Sequence, residues 1–193
     1  LNRKSFSVFF VRDTFKVGHL MDDSTMGQHS ASQASSNTEL LATRDAYRFR
    51  TTVSRLKGSA FVKHYELHDD KASIYYYGDY ASYRRLVPHS ALGKEDYLHY
   101  LGTEEAVYQL LLDSTVYLLK ELHFLNHVNI EIPNHGKKYT VNVSRVELDE
   151  HLDCHLSEMK DGHHHRFYLL CRDLEVEKFV SQFVKVKRLR RKH

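Results

Sequence analysis

Residues 103–126 constrain the fold more than any other part of this 193-residue chain. As a helix, they gather the polar positions Gln109, Asp113, Lys120 and His123 on one narrow stripe and leave nearly everything else apolar. Thr103-Glu104-Glu105 opens the stretch with acids, where a helix macrodipole favours them. About 24 residues make a helix roughly 36 Å long. A helix so apolar must be covered on more than one side. Asp113, Lys120 and Glu121 make it a poor membrane span, so no membrane span is expected.

The remaining segments predict what covers it. Tyr47, Phe49, Thr51 and Val53 alternate with Arg48, Arg50 and Thr52, the two-residue period of a half-buried strand. Residues 61–67 and 72–80 read as a hairpin turning at His68-Asp69-Asp70-Lys71. Ser90 can cap a short helix over 91–101, with Gly102 as its stop. Residues 129–132 and 139–146 form a second hairpin around Asn134-His135-Gly136. Residues 154–159 and 165–171 form a third around Asp161-Gly162-His163, and that register sets Cys154 opposite Cys171. Val176, Phe179, Val180 and Phe183 fall at helical spacing, although 184–187 also fit a strand. The expected fold is α+β: a largely antiparallel sheet of about six strands packed against one long apolar helix, with a C-terminal amphipathic helix.

Four regions follow. Residues 1–21 are a short apolar segment able to add a strand, and 22–42 read as a flexible Ser/Gln/Asn-rich linker with little to bury. The α+β domain spans 43–184, and 185–193 form a basic tail. Two cysteines in a chain this long make no disulfide framework, and the start is a poor signal peptide. The expectation is a reduced, soluble, cytoplasmic protein.

Charge distribution bears on function. The last nine residues hold six of the 28 Lys and Arg; without them 22 basic residues face 25 acidic ones, and +3 becomes −3. Lys185, Lys187, Arg188, Arg190, Arg191 and Lys192 can therefore contact an anion, whether nucleic acid or an acidic protein. Tyr75 and Tyr77, on one face of a strand with Arg84 and Arg85 just beyond, suit stacking of unpaired bases beside phosphates. Arg48 and Arg50 extend that surface if 47–53 is the first strand. Cross-strand tyrosines also stabilise a sheet without any ligand, and basic helix ends are favoured by the dipole.

Two other chemistries compete. His151 and His155 have the i, i+4 spacing of a shared metal on one helix face. Asp149 or Asp153 with Glu158 and Lys160 offers the acids and lysine of a metal-dependent hydrolase or nuclease. Fifteen histidines produce such spacings by chance, and Glu-x-Lys is common in charged chains. Nucleophile elbows, phosphate-binding glycine loops and Cys-x-x-Cys are missing, so no cofactor is expected. The sequence favours a non-enzymatic binding module whose basic tail meets an anionic partner, most plausibly nucleic acid. A small-ligand or protein-interaction domain with an inert tail is the alternative, and the hydrolase ranks third.

Overall fold

The computed structural model describes residues 7–11, 14–17, 31–158 and 173–189, with side chains from 40 to 158 and from 176 to 189. It is a mixed α+β fold. Five strands, β3 (Val62–His68), β4 (Lys71–Tyr76), β5 (His127–Asn134), β6 (Lys137–Ser144) and β7 (Val184–Arg188), lie side by side in chain order. A hairpin of β1 (Ser7–Val11) and β2 (Thr14–Val17) extends the sheet beyond β3, giving the order β2-β1-β3-β4-β5-β6-β7. Neighbours are antiparallel except β4 and β5. A parallel pair needs a long crossover. Here the crossover carries α2 (Tyr80–Leu86), α3 (Lys94–Leu101) and α4 (Glu104–Glu121).

Strand alternation sorts the sheet into two faces. Ala72, Ile74 and Tyr76 of β4, Val128, Ile130 and Ile132 of β5, and Tyr139, Val141 and Val143 of β6 are buried. The residues between them stay at least partly exposed. The buried face takes α4, whose Val107, Leu111, Leu112, Val116, Leu118 and Leu119 are fully shielded. Thr103 caps this helix, its Oγ1 accepting from the Ala106 amide at 3.1 Å. At the far end Arg145 donates to the Leu122 and Leu125 carbonyls, at 3.0 and 2.8 Å. The helix stops at Glu121 rather than reaching Asn126, and Arg145 brings donors and positive charge to the turn that follows its C-terminus.

The two inner hairpins turn as expected. His135 and Gly136 both have positive φ, 45° and 74°, the backbone that a two-residue type I′ turn requires. Asp69, with φ 53°, begins the β3–β4 turn.

Four expectations need correction. Residues 47–53 are helical, not a strand: α1 runs over Ala31–Ser54. Ala46, Phe49 and Val53 are buried, whereas Tyr47 is 71% exposed, so burial follows the helical period. The helix also begins inside the stretch expected to be a linker; 22–30 lie outside the described residues. Residues 154–158 are not a strand either. A capping box between Ser144 and Glu147 opens α5 (Arg145–Leu152), Asp153 ends it with φ 49°, and Leu156–Glu158 is a 3-10 turn. The partner half of that hairpin, including Cys171, lies outside the described residues. Finally, among the described residues the sheet has seven strands and shares its core with six helices, the last being α6 (Asp173–Phe183). No helix among the described residues is long and apolar enough to cross a membrane.

Candidate functional site

The partly exposed sheet face gathers the polar chemistry of the chain. Strand registers align His64 with Tyr75, Tyr75 with Glu131, Glu131 with Thr140, and Thr140 with Lys185. These five residues form one row across β3, β4, β5, β6 and β7. Three strand spacings put Tyr75 about 14 Å from Lys185. One row over, Lys138 stands opposite Lys187, and on the other side Ser73, Asn129 and Asn142 line up. The His64 and Tyr75 rings stack, with centroids 4.2 Å apart and planes 14° from parallel. His64 Nε2 lies 3.7 Å from Glu66 Oε1.

Charge on this face is uneven. Lys138 Nζ donates to Glu131 Oε2 at 3.0 Å. Lys185 and Lys187 are exposed and enter no ion pair among the described residues. Two cation pairs stand directly opposite each other across β6 and β7, Lys138 with Lys187 on this face and Lys137 with Arg188 on the helix-covered one. Like charges in that position destabilise a sheet. Glu131 and Glu104 relieve the β6 partners, Lys137 reaching Glu104 at 2.9 Å, and the β7 cations keep their charge toward solvent. Lysine on an edge strand also discourages strand addition.

His64 gives this face a pH signature. Partial burial holds its imidazole below the ordinary value; Glu66 opposes that shift, Lys63 reinforces it and Glu131 opposes it. The unfolded chain therefore binds this proton more readily. His64 favours the folded state fully above about pH 6.5, and the contribution is lost as pH falls through its folded value. His64→Gln should shrink the fall in melting temperature between about pH 7.5 and pH 5. An unchanged acid sensitivity in that variant would contradict the assignment.

The expected site residues divide. Tyr75, Lys185 and Lys187 share the open face, and Arg188 extends the β7 edge. Tyr77 does not: it lies past the end of β4, 5% exposed, with its ring edge against Tyr83 and its carbonyl accepting from Tyr97 Oη. Arg48 and Arg50 sit on α1, not on a strand; Phe49 between them packs on Tyr65, which alternates to the opposite side of β3 from His64. Arg48 instead reaches the Glu121 carbonyl at 3.4 Å. Arg84 and Arg85 belong to α2, and Arg84 is held by the Ser90 carbonyl at 2.7 Å. Arg190, Arg191 and Lys192 lie outside the described residues. His64, Lys138, Asn129 and Asn142 were missed, although the alternation of β6, Lys138-Tyr139-Thr140-Val141-Asn142, carried the signal.

The metal reading loses its geometry because α5 ends between the two histidines. His151 Nδ1 meets Gln182 Oε1 at 2.7 Å, with its ring against Phe179 and Phe183. His155 Nδ1 instead lies 3.6 Å from Asp149 Oδ2. Among the described residues, no group of three or more His, Cys, Asp or Glu is placed to hold a metal ion. Asp149 and Asp153 line a concavity of about 420 Å³, but Asp149 Oδ1 already accepts from the Leu156 amide at 3.0 Å. Lys160 lies outside the described residues. The chain matches no protein-family model, no curated protein and no solved structure.

Proposed function

We propose that this protein is a non-enzymatic binding module that takes single-stranded nucleic acid across the open face of its sheet. The observation that carries the reading is the row His64–Tyr75–Glu131–Thr140–Lys185, which joins a stacked ring pair to an uncompensated lysine strand on one surface. Aromatic rings accept any base by its π-face, while neighbouring cations hold the phosphates. A phosphate at β7 would also balance Lys187, which stands opposite the Glu131-paired Lys138. An acidic protein surface would satisfy the lysines equally well, but it has no use for the stacked rings. A base does.

Binding should therefore depend on salt through counterion release. In a titration of a fluorescent oligothymidylate, the double variant Lys185→Gln, Lys187→Gln should reduce the steepness of log K against log salt by roughly 1.4, about 0.7 for each lost single-strand phosphate contact. Melting temperature reports whether the body stays folded. A variant with the wild-type affinity and slope would remove β7 from the interface.

A further inference from the structure

A carboxylate in the middle of a phosphate-binding face repels the ligand unless it has a further use. Glu131 is that carboxylate. It stands beside Tyr75 across the parallel strand pair, about 4.8 Å away by the strand spacing. Strand β4 lies between β3 and β5, and the His64 ring on β3 covers one face of Tyr75. The other face of the ring is therefore the one on the side of β5 and Glu131. Glu131 Oε2 accepts from Lys138 Nζ at 3.0 Å, while Oε1 accepts no hydrogen bond among the described residues. An ammonium carries three donors, so Lys138 has others to give. Both side chains reach solvent, Lys138 33% and Glu131 25% exposed.

A base stacked on the open face of Tyr75 would turn its edge to a carboxylate and an ammonium held side by side. A carboxylate binds best where two N–H donors lie parallel, one for each oxygen. Among the standard bases, guanine alone has such a pair, N1–H and the 2-amino group, with the O6 acceptor next to them. Adenine and cytosine offer one amino donor. Thymine and uracil set a single N–H between two carbonyls, which a carboxylate repels. We propose that Tyr75, Glu131 and Lys138 form a guanine-reading subsite within the single-strand surface: the base stacks on Tyr75, N1–H and the 2-amino group donate to Glu131, and Lys138 donates to O6. The subsite rests on the single-strand reading and adds the identity of one base to it.

The test is a fluorescence titration of the full chain with an oligothymidylate carrying one central guanine, and with the same strand carrying adenine or hypoxanthine there. Guanine should bind more tightly than adenine by roughly 5- to 150-fold, the discrimination of one good bidentate contact. Hypoxanthine keeps N1–H and O6 but lacks the 2-amino group, and should fall between them. Glu131→Gln, isosteric and on the open face, should erase the preference. Plain oligothymidylate should bind that variant at least as tightly as the wild type, because a negative charge has left the phosphate surface. Guanosine monophosphate should compete more weakly than the guanine strand, since it brings one phosphate to lysines spread along β7. Equal affinity for the guanine and adenine strands overturns the inference and leaves the single-strand reading standing. No binding of any strand, plain oligothymidylate included, overturns both. Hypoxanthine equal to guanine, or a guanine preference that survives Glu131→Gln, overturns the role of Glu131. Competition by the free nucleotide equal to that of the strand overturns the placement of the guanine within a strand.

Discussion

Leu118→Ala is expected to lower the free energy of unfolding by about 2–5 kcal/mol, the range for truncating a fully buried leucine. Leu118 is 0% exposed, and the helix that carries it lies between the sheet and other helices. Its neighbours Leu111 and Leu119 are equally shielded, so little can collapse into the void. Urea denaturation measures the effect, with an unchanged slope showing that the unfolded state is not the cause. Leu86→Ala is the control: Leu86 is 63% exposed, and the change should cost less than about 0.5 kcal/mol. Equal costs at the two positions would mean that α4 is not the centre of the core.

That centre was legible because Thr103 and the acids after it mark a start, and the apolar run admits only a covered helix. The β5–β6 hairpin was legible because Asn134-His135-Gly136 supplies the backbone a tight turn needs. The α1 segment was not. Tyr47, Phe49, Thr51 and Val53 satisfy a two-residue period, while Ala46, Phe49, Val53 and Leu56 satisfy a helical one. Only packing chooses between them, through Phe49 against Tyr65. The parallel pairing of β4 with β5 was hidden for another reason. It joins strands separated by three helices, and no local pattern records which edge the chain returns to. That one pairing decides the candidate site, because it puts Tyr75 in register with Glu131 and through β6 with Lys185. The helical conformation of α1 removed Arg48 and Arg50 from the surface that the sequence had assigned them, and the end of β4 at Tyr76 removed Tyr77.

Tyr75→Ala carries the second large effect. Stacking of a base on an aromatic side chain is worth about 1–3 kcal/mol by alanine substitution, so affinity for a short oligothymidylate should fall roughly 5- to 150-fold. The ring carries no charge, and the salt dependence should stay as it is in the wild type. Replacing Lys185 and Lys187 should do the reverse to the slope. The two variants thus separate stacking from phosphate contact on one surface. His64 provides an internal check, since its ring lies against Tyr75 and its removal should weaken binding in the same manner.

The most direct measurement is therefore the affinity of Tyr75→Ala for an oligothymidylate across a salt series, with folding verified by its melting curve. A parallel line displaced to weaker binding is the predicted result. A variant that binds as tightly as the wild type at every salt concentration would contradict the open sheet face as the binding surface.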